Sequence, residues 1–79
     1  MTLRWHTWSI SGNALHDLKD SSGRIFARLR QNYLGAWELW DWRGGSLQER
    51  RVDTYTDLQR AKREGSITMA ISAGDDNAR

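Results

Sequence analysis

The chain has no cysteine and no proline among its 79 residues. Without cysteine, neither a disulfide framework nor a thiolate zinc site can reinforce a small core. The same absence fits a reducing compartment. Without proline, no strand is interrupted by a residue that cannot donate to the ladder. No stretch approaches the roughly 20 apolar residues that a membrane span requires. Met1–His6 lacks the apolar run of about 7–15 residues that marks a signal peptide, so a cytoplasmic location is expected. Charge of one sign is also lacking: the net charge is +2. That balance argues against a polyanionic DNA mimic and against a strongly basic nucleic-acid domain.

What the chain does have is tryptophan and arginine. Five tryptophans fall in a sequence of this length, and each aromatic side chain can bury roughly 150–250 Å². Of the twelve basic residues, all but Lys19 and Lys62 are arginine. Arginine offers a planar fork for phosphate or carboxylate and stacks on aromatic rings. A GC-rich genome, which favours arginine codons, accounts for the same bias. A chain this short forms one domain. Residues 1–71 are read as that domain and 72–79, polar and small, as a flexible tail.

The pattern along the chain predicts strands separated by turn signals. Leu3–Ile10 and Ala14–Lys19 flank Ser11-Gly12-Asn13. Arg24–Gln31 alternates, after the turn cluster Asp20–Gly23. Ala36–Arg43 follows the turn Asn32–Gly35. Gly44-Gly45 reads as a two-residue hairpin leading to a fifth strand over Ser46–Val52, charged enough to sit near an edge. A helix is expected after Asp53, capped by Thr54 or Thr56 and stopped by Gly65. Its apolar stripe of Leu58 and Ala61 is too narrow for a free helix, so it must lie on the sheet. Ser66–Ile71 either continues the helix or forms a last strand; Ile67, Met69 and Ile71 alternate with small residues, which favours the strand. The fold class is therefore α+β: an antiparallel meander of about five strands with one α-helix packed on one face and a possible short C-terminal strand.

Alternation also sorts side chains between the faces. Ile25, Ala27 and Leu29 point one way, and Trp37 and Leu39 share one parity of their strand. The other face then carries Phe26, Trp40 and Trp42 beside Arg24, Arg28 and Arg30, with Arg43 at the strand end. These seven are the candidate partner-binding residues, because tryptophan and arginine dominate interface energetics. The assignment assumes no bulge between Trp37 and Trp42; one extra residue would exchange the faces and make Trp37 the anchor. A homodimer or the N-terminal strand could instead cover the two tryptophans.

Catalytic and cofactor signals are missing. His6 and His16 could be neighbours across the first hairpin, but His16 and Asp17 are adjacent in a strand and point to opposite faces. No G-x-S-x-G, HExxH or paired-carboxylate spacing is present. Close-spaced ligand pairs for a structural metal are absent too. Gly44-Gly45 lies between strands, not ahead of a helix, so it is no phosphate cradle. The chain is expected to be a binding protein rather than an enzyme, with no cofactor. A protein partner is preferred, and the chain itself is a monomer or homodimer. A small nucleic-acid-binding module that stacks bases on the aromatic face is the alternative. Glu38, which shares the parity of Trp40 and Trp42, weighs against the latter.

Gly35-Ala36-Trp37 and Leu58-Gln59-Arg60-Ala61-Lys62 resemble elements of many small phage- and prophage-encoded proteins, in which a G-x-W strand leads to a capped helix containing L-x-x-A-K. Within that group the chain resembles anti-CRISPR proteins directed at type I surveillance complexes. The resemblance implies a phage-encoded inhibitor without an active site. Such an inhibitor would act in the host bacterial cytoplasm, binding a complex subunit and blocking target-DNA binding.

Overall fold

Two residues with positive φ start the sheet. Ser11 (φ 52°) and Gly12 (φ 80°) form the two-residue turn that joins β1 (Arg4–Ile10) to β2 (Asn13–Lys19). Positive φ at both central positions gives a turn whose twist matches that of the flanking strands. In this computed structural model, residues 2–77 are described, with side chains for residues 2–71. β3 (Ile25–Gln31), β4 (Trp37–Asp41) and β5 (Arg50–Tyr55) follow, and the five strands pair in sequence order, each antiparallel to the next. The helix α1 (Leu58–Asn77) closes the chain and packs on β3, β4 and β5. The α+β meander with one helix on one face is thus the observed architecture. No helix among the described residues is long and apolar enough to cross a membrane.

Three local features differ from the sequence expectation. β5 begins at Arg50, because Trp42–Gly45 closes a turn (Gly45 N–H to Trp42 C=O, 3.0 Å) and Ser46–Gln48 then form a 3-10 turn. Gly44-Gly45 is therefore part of a longer connection, not a two-residue hairpin. The helix starts at Leu58 and not at the threonines. Its cap is Asp57, whose Oδ2 accepts the Arg60 N–H at 2.9 Å, the bond that an N-cap carboxylate makes to an otherwise unpartnered amide. Finally, residues 66–71 are helical and Gly65 does not stop the helix.

The last correction has a simple geometric cause. Ala61, Gly65 and Met69 recur every four residues and form the buried stripe of α1, while Ile67 and Ile71 are exposed. A strand would place 67, 69 and 71 on one side, whereas a helix turns 69 away from both. Gly65 lets the helix approach the sheet closely. A Cβ there would lie 3.3 Å from Leu39 Cδ1 and 3.4 Å from Trp5 Cζ2. The Trp5 indole N–H donates to Lys62 C=O (3.0 Å) and Ser66 Oγ (2.7 Å), which fastens edge strand β1 to the helix. Beneath α1 lie Leu18, Ala27, Leu29 and Leu39, fully buried. The mobility expected of residues 72–79 lies outside the described residues, apart from the helical backbone to Asn77.

Candidate interaction face

The face opposite α1 is set by strand register. Trp8 pairs with Leu15, Leu15 with Arg30, and Arg30 with Glu38; in the next row His6 pairs with Asp17, Asp17 with Arg28, Arg28 with Trp40, and Trp40 with Arg51. Directly paired residues share a face, so all of these project away from the helix. Pairing between β3 and β4 runs unbroken from Gln31–Trp37 to Ala27–Asp41. The shift at Leu39/Trp40 falls on the other side, against β5, where Asp53 and Arg51 flank the extra Val52. Trp37 and Leu39 consequently lie on the helix side, and Trp40 lies on the open side.

Arginine and tryptophan interleave on this face. The Arg28 guanidinium stands 3.9 Å from the Trp42 ring centroid and 5.2 Å from that of Trp8. It donates to both oxygens of Asp17, through Nε at 2.6 Å and Nη2 at 3.0 Å. Asp17 Oδ2 also accepts the Trp8 indole N–H at 2.8 Å. Beside this group, Arg30 lies 4.3 Å from the Trp40 centroid and donates to Glu49 Oε1 at 2.9 Å. Trp40 N–H reaches Glu38 Oε1 at 3.2 Å, and Asn32 and Arg51 share Glu38 Oε2. The Asn32 amide first, then the Trp40 indole and Arg51, hold the Glu38 carboxyl below its ordinary value. Each guanidinium–aromatic stack is worth roughly 0.5–2 kcal/mol, more as it is desolvated. A sheet face without a second layer is thus covered by its own side chains.

This arrangement changes the status of several sequence-predicted residues. Trp40 and Trp42 are half-buried and stacked, not freely exposed. Phe26 is only 3% exposed and belongs to the buried cluster, with Arg24 5.2 Å above its ring. The β2–β3 register slips at Leu18/Lys19 beside it, and its C=O accepts the Trp42 N–H, which carries the β3–β4 register one pair further. Arg24 is exposed and donates to Arg43 C=O at 3.0 Å. Arg43 folds onto Asp41, with Nε at 3.1 Å and Nη2 at 2.8 Å. Arg43, with Arg50 beyond it, keeps the Asp41 carboxyl below its ordinary value. Arg28 and Arg30 lie within the layer, their side chains 13% and 34% exposed.

Trp8, Asp17, Glu49 and Arg51 are the members of the layer that strand alternation did not single out. Trp8 could have been found, since a two-residue turn at Ser11-Gly12 fixes Trp8 opposite Leu15. Glu49 could not, because it depends on the path of residues 43–49. The two histidines are held apart: His6 is on the open face and His16 beneath the helix. His16 Nδ1 lies 2.9 Å from Thr7 Oγ1, and its ring meets Trp37 edge-on at 5.2 Å. Among the described residues no group of His, Cys, Asp and Glu could hold a metal ion.

No family model matches this chain, and no curated protein or solved structure does so either.

Proposed function

We propose that the chain is a non-enzymatic binding protein that engages another protein through the sheet face opposite α1. The observation that carries this reading is Arg28, stacked between Trp8 and Trp42 and clamped by both oxygens of Asp17. Binding normally costs about 0.5–1.5 kcal/mol for each mobile side chain that it immobilises. Here the tryptophans and arginines, the residue types richest in hot spots, are already locked in place. The rim of the layer remains accessible at Trp8, Ile10 and Arg51. Carboxylates alternate with guanidiniums across it, which suits the mixed charges of a protein surface better than the single sign of a phosphate chain.

The resemblance carried by Gly35–Trp37 and Leu58–Lys62 gives this proposal its finer form. The partner is a type I CRISPR–Cas surveillance complex, and the outcome is loss of its target-DNA binding. The test mixes the purified chain with such a complex and follows both co-elution and DNA binding. The wild type should co-elute in stoichiometric amount and suppress DNA binding. Trp8→Ala/Trp40→Ala, with unchanged circular dichroism, should do neither. A folded double variant that still inhibits would overturn the face assignment. Failure of the wild type to bind any such complex would overturn the finer form. A doubled mass of the wild type alone in size-exclusion chromatography, lost in the double variant, would assign the face to a homodimer.

A further inference from the structure

One corner of the open face is built differently from the rest. Arg4 and Lys19 are direct cross-strand partners in the β1–β2 pair, and His6 follows two residues along β1 on the same face. Like charges directly opposite one another destabilise a sheet. Elsewhere on this face the strand arginines are matched to carboxylates: Arg28 to Asp17, Arg30 to Glu49 and Arg51 to Glu38. Among the described residues, no carboxylate pairs with Arg4, His6 or Lys19. Asp17, the cross-strand partner of His6, is already bound by Arg28 and Trp8.

These three residues line a pocket of about 420 Å³ with Thr2, Asp20 and Ser21. Asp20 is the one acid among the described lining residues; the turn engages its Oδ1 and leaves its Oδ2 without a hydrogen bond. Oδ1 accepts Ser22 N–H at 2.9 Å, Ser22 Oγ–H at 2.6 Å and Arg24 N–H at 3.1 Å. The donors left over are a planar guanidinium fork, an ammonium, an imidazole and two hydroxyls. Together they match a tetrahedral oxyanion with several acceptor oxygens: the fork takes two of them and the ammonium adds a point charge.

We propose that the corner of the open face formed by Arg4, His6 and Lys19 is a binding site for a phosphoryl oxyanion. The anion supplies the countercharge that no ion pair gives Arg4 and Lys19 and relieves their repulsion. The site is separate from the Trp8–Arg28–Trp42 stack and does not rest on the protein-binding reading.

The test titrates inorganic phosphate into ¹⁵N-labelled protein at constant ionic strength, with chloride as the balancing anion. Saturable shifts should appear at the amides of residues 4–6 and 19–21. Arg4→Ala and Lys19→Ala should each weaken binding by about tenfold, the equivalent of one charge-assisted contact, and the double variant should abolish it. Trp40→Ala should leave it unchanged, which separates this site from the interaction face. Removing the Arg4 charge should also raise the melting temperature in phosphate-free, low-salt buffer, so misfolding of the variant would count against the proposal. Equal shifts with chloride, shifts centred elsewhere, or undiminished binding by the double variant would overturn it. A parallel titration with single-stranded oligothymidylate identifies the source of the phosphoryl group. Tighter binding than inorganic phosphate assigns a nucleic-acid backbone, and no gain assigns a free phosphate or phosphorylated small molecule.

Discussion

Asp17 and Arg28 face each other across β2 and β3, joined by two hydrogen bonds, with side chains 3% and 13% exposed. The pair sits between two tryptophan rings and is removed from water. Breaking one side of such a pair leaves a buried charge without a partner, which costs about 3–5 kcal/mol. Asp17→Asn keeps the shape and removes the charge. It should lower the urea unfolding midpoint by that equivalent, a large share of the roughly 5–15 kcal/mol that a domain has in total. Asp17→Asn/Arg28→Met, which removes both charges, should recover most of the loss. A single variant as stable as the wild type would show that water already reaches the pair.

Gly65 gives the contact between helix and sheet a second handle. Glycine in a helix interior costs about 1 kcal/mol relative to alanine, yet a Cβ here would crowd Leu39 and Trp5 at 3.3–3.5 Å. The two effects oppose one another, and the Leu39 methyls can yield by a few tenths of an ångström. Gly65→Ala should therefore change stability by less than about 1 kcal/mol. Gly65→Val adds bulk that no small shift absorbs and should cost about 2 kcal/mol. It should also displace Trp5, and loss of the Lys62 and Ser66 bonds would appear as a moved indole N–H resonance. A valine variant with both stability and resonance unchanged would contradict the close approach.

The architecture was legible because local signals agreed with the global fold. Turn residues at 11–12, 20–23 and 32–35 sit where the strands end. The alternation of Arg24–Gln31 separates Leu29 from Arg28 and Arg30 as the register does. Signals of equal local strength failed where tertiary contact decided the outcome. Ile67, Met69 and Ile71 alternate like a strand, but Met69 alone is buried, because Ala61 and Gly65 extend the helix stripe to it. Gly65 looked like a terminator and is a contact point. Phe26 shares the parity of Arg28, yet it is buried beside a register slip with Arg24 over its ring. The ion pairs of the open face were hidden for another reason: Glu49 reaches Arg30 from an irregular segment whose path no periodicity encodes.

The first hairpin has room for improvement. Ser11 holds φ 52°, a conformation that asparagine tolerates better than serine and that β-branched residues resist. Ser11→Asn would place Asn-Gly in a turn that favours that pair. The melting temperature should rise by roughly 2–4 °C, as expected for about 0.5 kcal/mol in a domain of this size. Ser11→Val should lower it. Because the turn sets the register of Trp5 and Trp8 against β2, a destabilising Asn would mean that the Ser11 hydroxyl has an unrecognised role.

His16 makes stability depend on pH near neutrality. It is 5% exposed beneath α1. Burial first, and the Lys62 charge second, push its pKa below 6.5, while neighbouring Asp17 pulls the other way. Thr7 and Trp37 complete its surroundings without adding charge. The unfolded chain takes up a proton at this residue near pH 6.5, and the folded chain only at lower pH. Between those two values the unfolded state binds more protons, so stability falls as pH drops through 6.5. The fall ends below the folded pKa, where both states are protonated. Urea unfolding at about pH 7.5 and pH 5.5 should show the wild type less stable at the lower value. His16→Gln should remove most of that difference, because a glutamine there has no proton to gain. If the variant kept the full slope, the dependence would belong to another group and His16 would titrate alike in the folded and unfolded chain.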